Sequence, residues 1–130
     1  MLTENKLHSE FVFISDKTIS AVKNCTGKVW GLGTTVTRSL ESWAAGMLNK
    51  CEDGFSGDTQ LFIYPGYEFK VVNCLMTNFH QPKSSLLALV SAFAGYKNVM
   101  EAYEWAIERQ FKLFSYGDLS VWTNDPLKAI

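Results

Sequence analysis

The stretch Leu75-Met76-Thr77-Asn78-Phe79-His80-Gln81-Pro82-Lys83-Ser84-Ser85-Leu86-Leu87 limits the folds open to this chain more than any other. An apolar run leads in and an apolar helical pattern leads out. Between them Thr, Asn, His, Lys and two Ser crowd around a proline. A chain written this way leaves a core strand, turns, and enters a core helix. Polar groups held between two core elements point to a site at a strand's C-terminal end, where a helix begins. The stretch therefore asks for an α/β fold.

The flanking sequence reads the same way. His8-Ser9-Glu10-Phe11-Val12-Phe13-Ile14 is a β-rich run ending at Ser15-Asp16, and Lys17 to Cys25 is a short helix capped by Ser15 or Asp16. Lys28 to Gly33 is continuously apolar, as in a parallel strand buried on both faces. Thr34 or Thr35 caps a second helix with the inward stripe Val36, Leu40, Trp43, Ala44 and Met47. The first half is thus β-α-β-α. Leu48 to Asp58 reads as a surface loop. Leu61 to Tyr64 and the alternating Tyr67, Phe69 and Val71 read as a β-hairpin around Pro65-Gly66. A helix runs from Lys83 to Gly95 with Leu86, Leu89, Val90 and Phe93 inward, widened by Leu87 and Ala94. Another starts at an Asn98/Glu101 capping box, with Val99, Ala102, Tyr103, Ala106 and Ile107 inward. Phe111 to Phe114 is a short last strand, Ser115 to Asp118 a turn, and Leu119 to Trp122 a further strand.

Composition narrows the class. With 130 residues and 47% hydrophobic content, one domain is expected over residues 1–130. The net charge of −1 gives no global field for nucleic acid, so any RNA contact is local. Cys25, Cys51 and Cys74 are scattered and odd in number, and His8 and His80 lie too far from them for a zinc spacing. No metal site is expected. With no long apolar span or leader pattern, the expected location is cytoplasmic, away from membranes.

Several residues carry candidate chemistry, each beside a plainer reading. His80 is a general acid or base, or a hydrogen-bonded loop histidine. Lys83, Ser84 and Ser85 open a helix where free N–H groups, hydroxyls and an ammonium would hold an anion; the alternative is an ordinary serine cap. Gly31-Leu32-Gly33-Thr34-Thr35 followed by Arg38 resembles an anion cradle, although Gly-x-Gly alone is a weak motif. His8 and Glu10 project to one face of an extended chain and could share a proton, or could both face solvent. Asp118 could accept from a sugar hydroxyl or simply close a turn. Trp105 lies off its helix's inward stripe, as a residue packed on partner surface would.

These pieces occur in an order that resembles one family. The carriers are Leu7-His8-Ser9-Glu10, then Gly33-Thr34-Thr35 with Arg38-Ser39-Leu40-Glu41-Ser42, then Phe62-Ile63-Tyr64-Pro65-Gly66-Tyr67. Thr77-Asn78-Phe79-His80 with Pro82-Lys83-Ser84, and Phe114-Ser115-Tyr116-Gly117-Asp118, complete the set. The chain is similar over nearly its whole length to the C-terminal part of S-adenosylmethionine:tRNA ribosyltransferase-isomerases of queuosine biosynthesis. It departs at Gln81, at Val36-Thr37, at Leu119-Ser120, and at Asn73-Cys74, where the family has an Asp-Gly hairpin turn.

The resemblance implies the C-terminal portion of a barrel-like α/β domain, without the family's N-terminal portion and inserted β-barrel. It implies transfer of the ribosyl part of S-adenosylmethionine to 7-aminomethyl-7-deazaguanine in a tRNA anticodon loop. Isomerisation then gives epoxyqueuosine-tRNA, methionine and adenine. S-adenosylmethionine is a consumed substrate here, and no cofactor is implied. His80 and the His8/Glu10 pair become the expected proton carriers. Arg38, Lys83, Ser84 and Ser85 become anion anchors. Thr34, Thr35, Thr77, Asn78, Tyr116 and Asp118 become contacts to substrate. The chain alone is expected to be inactive, to need the missing N-terminal part, and to self-associate through uncovered apolar surface. The alternatives are a stand-alone module that binds S-adenosylmethionine or tRNA without catalysis, and one half of a split enzyme.

Overall fold

The computed structural model describes residues 9–124. In chain order the elements are β1 (Phe11–Ser15), α1 (Asp16–Lys23), β2 (Trp30–Leu32), α2 (Thr34–Ala44), β3 (Asn49–Cys51) and β4 (Gly54–Asp58). They continue with β5 (Cys74–Phe79), α3 (Ser85–Ala94), α4 (Tyr96–Glu108) and β6 (Phe114–Thr123). The fold is α/β, and the opening β-α-β-α order matches the sequence pattern. The strands form two open sheets of three, β1-β4-β3 and β2-β5-β6, with no closed barrel among the described residues.

The first sheet is antiparallel throughout. Its hairpin, β3–β4, lies where the sequence suggests a loop: Gly54 and Gly57 hide a strand whose Gly54 admits no Cβ between Phe13 and the Ile14 carbonyl. The hairpin expected over Leu61 to Val71 is absent in turn. That segment is irregular, with Leu61 and Ile63 buried. The expected turn at Pro65-Gly66 is closed by Tyr67 N on the Tyr64 carbonyl at 3.1 Å, and the amides of residues 70–72 find a different acceptor. Glu41 of α2 is fully buried, and its Oε1 accepts from Tyr67 Oη and Lys70 N, both at 2.8 Å. Its Oε2 accepts from Val71 N at 2.8 Å and Val72 N at 3.0 Å. One carboxylate does the work of a neighbouring strand.

Helix α2 keeps the middle of its expected stripe inward, with Leu40 buried and Trp43 packed on the core, but not the ends. Val36 and Met47, expected inside, are exposed, while Thr37, Arg38, Ser39, Glu41 and Ser42 are buried beside Leu40. Gly33, at φ +102°, is its N-cap, and no side chain caps it, so neither Thr34 nor Thr35 plays that part. Helix α1 does have the Ser15 cap, and α3 is capped by Ser84, whose Oγ accepts from Leu87 N at 3.1 Å. Helix α4 starts at Tyr96 after Gly95. Asn98 donates back to the Ala94 carbonyl at 3.0 Å and forms no capping box. Val99, Tyr103 and Ala106 are buried on it, whereas Ile107 is exposed.

In the second sheet β5 is central, parallel to β2 and antiparallel to β6. Residues 114–123 form one strand, with a bulge where the sequence suggests a turn between two strands. No hairpin turn occurs at Asn73; its Oδ1 instead accepts from Val29 N at 2.7 Å. One face of this sheet, Leu75, Thr77, Phe79, Ser120 and Trp122, meets the core. The other carries Trp30, Leu32, Met76, Leu119 and Val121. Of these only Met76 is half-buried; Leu32 is 62% exposed. Strand β2 is therefore buried on one face only, not on both. No helix among the described residues is long and apolar enough to cross a membrane.

Candidate functional site

The parallel pair β2/β5 sends both strands toward one end of the molecule. Gly33 N donates to Met76 O at 2.8 Å, carrying the pairing just past β2. Gly31 lets α2 pack down on this pair, since a Cβ there would run into Thr37 Oγ1. The N-termini of α2 and α3 consequently open beside the C-terminal end of β5. Between them lies a hollow of about 670 Å³ lined by Gly33, Thr34, Thr35, Thr77, Asn78, His80, Ser84 and several apolar residues including Phe114.

His80 is the titratable group of this hollow, and it is held from two sides. Its Nε2 is 2.9 Å from Thr77 Oγ1, and its backbone N donates to Tyr103 Oη at 2.8 Å. Burial lowers the His80 pKa below its ordinary value, so the ring is neutral at physiological pH. Burial raises the Tyr103 phenol, and the His80 amide that donates to it pulls in the opposite direction. Behind Thr77, Trp122 Nε1 donates to Ser120 Oγ at 2.7 Å, and that hydroxyl donates to the Thr77 carbonyl at 2.8 Å. Asn78 Nδ2 reaches the Asp118 carbonyl at 3.5 Å. A neutral imidazole, hydroxyls, an amide and two helix N-termini suit a polar ligand with an anionic group.

The sequence candidates divide. Thr34, Thr35, Thr77, Asn78, His80 and Ser84 line the hollow together. Arg38 does not: it is 3% exposed and donates to Glu10 Oε1 and the Thr59 carbonyl, both at 3.3 Å, and to the Leu61 carbonyl at 3.4 Å. Desolvation lowers its pKa and the Glu10 charge raises it. Glu10 is engaged by that ion pair and by Thr35 Oγ1 at 3.4 Å. His8 lies outside the described residues. Lys83, at φ +58°, and Ser85 flank the hollow without lining it. Tyr116 is exposed on β6, and the Asp118 carboxylate accepts from Lys112 N. Tyr103, Ser120 and Trp122 support the site without being marked by any motif in the sequence. The available signal was polar tips on otherwise inward-facing residues, which need partners once buried. Among the described residues no group of three or more His, Cys, Asp or Glu side chains is placed to hold a metal ion.

Fold and hollow define an α/β protein with a polar site at the C-terminal ends of parallel strands. Comparison with known proteins makes this specific. Residues 1–121 match the family model described as queuosine biosynthesis protein, and the chain belongs to that family. A solved structure, the S-adenosylmethionine tRNA ribosyltransferase of Thermotoga maritima, is similar at 41% identity and a TM-score of 0.76 over 85% of this chain. The match covers 39% of that protein's length.

Proposed function

We propose that this chain forms one wall of the active site of a tRNA-modifying ribosyltransferase-isomerase. The reaction transfers the ribosyl part of S-adenosylmethionine to 7-aminomethyl-7-deazaguanine in a tRNA anticodon loop. It rearranges that group to an epoxycyclopentanediol and releases methionine and adenine. The observation that carries the reading is the single hollow joining His80 and Thr77 to the N-termini of α2 and α3. The uncapped amides of α2 with Thr34 and Thr35, and the Ser84 end of α3, suit the methionine carboxylate or a tRNA phosphate. Asn78 suits a sugar or base edge, and His80 handles a proton or a hydrogen bond at the reacting sugar. S-adenosylmethionine is the substrate, and no further cofactor is part of the proposal. The setting is the cytoplasm, where tRNA is modified.

Arg38 leaves the set of anion anchors, because it is buried away from the hollow and each of its nitrogens already donates to Glu10 or a backbone carbonyl. The open face carrying Trp30, Leu32, Leu119 and Val121 is where the rest of a family-length protein would pack, and the chain alone would be inactive without it. The test is product formation from S-adenosylmethionine and tRNA. This chain is assayed alone and mixed with the complementary part of the Thermotoga maritima relative. No turnover alone and turnover in the mixture is expected, with a large loss for His80→Gln. Turnover unchanged by His80→Gln removes His80 from the reaction, and no turnover in the mixture defeats the proposal.

A further inference from the structure

We propose that Thr77 is a positioning residue that fixes His80 as the neutral Nδ1–H tautomer, so that His80 presents a hydrogen-bond donor to its ligand in place of a basic nitrogen. Thr77 stands on the core face of β5 and is 6% exposed. Its hydroxyl has one hydrogen to place. Among the described residues Oγ1 makes a single hydrogen bond, to His80 Nε2 at 2.9 Å. If Nε2 carried the ring hydrogen, Oγ1 would be the acceptor and its own hydrogen would have no partner within the protein, only water or a ligand in the hollow. The arrangement that satisfies Thr77 from within the protein has the hydroxyl donating to Nε2, which puts the ring hydrogen on Nδ1, where the hollow can serve it. The framework for this choice is stiff at both ends. The Thr77 carbonyl is held by Ser120 Oγ, itself fixed by Trp122 Nε1, and the His80 amide is held by Tyr103 Oη.

The chemical consequence is an assignment of roles. A nitrogen already accepting from Thr77 cannot take a proton from substrate until that hydroxyl turns away. His80 therefore serves an acceptor atom on the ligand, such as a sugar oxygen or a heteroaromatic nitrogen. The base that removes a proton beside the sulfonium has to come from another group. This assignment rests on the proposed reaction, but its test does not. Long-range proton–nitrogen correlation spectra of the imidazoles, recorded on the 130-residue chain, separate the two tautomers directly. The chain has two histidines, and His80→Gln identifies which signals belong to His80.

The expected spectrum shows His80 as Nδ1–H in the wild type and in Thr77→Ser. In Thr77→Val it shifts toward the Nε2–H form that dominates in free imidazoles. A wild-type Nε2–H signal overturns the proposal, as does a Thr77→Val spectrum identical to the wild type. Should the tautomer be as stated while His80→Gln leaves turnover unchanged in the reconstituted enzyme, the positioning stands and the catalytic reading falls.

Discussion

Helix α2 and the junction between β5 and α3 both press polar side chains against the core, but they dispose of them in opposite ways. In α2 the Glu41 carboxylate takes four donors from residues 67–72, and Arg38 spends its guanidinium on Glu10 and two carbonyls. Each oxygen of the one and each nitrogen of the other is engaged by the protein itself. At the junction, His80, Asn78 and Thr35 are held on one side and, with Thr34, face open volume on the other. Engagement of every polar atom marks groups that hold segments together, and partial engagement with an adjoining hollow marks groups left for a ligand. Substitutions in the first class should act on stability, and in the second on binding.

The largest effect should come from Glu41→Ala. It strips the acceptor from three backbone amides and the Tyr67 hydroxyl, and should cost about 3–5 kcal/mol in a urea titration. Against a typical total of about 5–15 kcal/mol, that leaves little folded protein. Tyr67→Phe removes one donor and should cost only about 1 kcal/mol. A mild Glu41→Ala would mean that residues 70–72 find their acceptors elsewhere, which breaks the comparison at its strongest point. Arg38→Met comes next, at about 1.5–3 kcal/mol, since the stripped carbonyls of Thr59 and Leu61 tolerate loss better than amides and Glu10 regains water. If Arg38→Met instead kept full stability and abolished S-adenosylmethionine binding in the reconstituted enzyme, Arg38 would belong with the junction.

The same contrast explains what could be read in the sequence. The β-α-β-α opening follows from apolar runs and caps, and the junction follows from polar residues wedged between two apolar elements; Thr77, His80 and Ser84 are found by that reasoning. Helix α2 follows it only in part. Of the stripe Val36, Leu40, Trp43, Ala44 and Met47, Leu40 and Trp43 do meet the core, but Val36 and Met47 do not, because part of the buried face meets a run of unpaired amides that Glu41 satisfies. The displaced hairpin has the same origin. Residues 61–71 have strand periodicity without a strand beside them, while the true hairpin at 49–58 is written with glycines and charges. Tyr103 is buried, as the periodicity of its helix predicts. Its hydrogen bond to His80 spans 23 positions in sequence, and no local pattern encodes that.

A smaller effect sharpens the junction's geometry. In Gly31→Ala the new methyl meets Thr37 Oγ1, which itself donates to the Gly33 carbonyl at 2.9 Å. Overpacking of this kind should cost about 1–3 kcal/mol. Thr37→Ala in the same chain should recover part of that loss, a non-additivity that a double-mutant cycle reads. Additive losses would show that α2 is not seated on β2 through this contact.

The smallest effect separates the two regions by pH. Burial lowers the His80 pKa, so the folded chain resists a proton that the unfolded chain accepts near pH 6.5. Between those two values the unfolded state binds more protons, and stability therefore rises with pH through the window. The stability is fully present above pH 6.5 and is lost as pH falls toward the folded pKa, with a slope for this one group of at most about 1.4 kcal/mol per pH unit. Urea midpoints measured from pH 7.5 downward should fall in the wild type and fall less in His80→Gln, which carries no titrating ring. His8 is common to both chains, so its titration cancels if it is independent of His80. Parallel curves for the two proteins would mean that the ring is solvated in the folded state, and the junction would then lose the desolvated imidazole that sets it apart from α2.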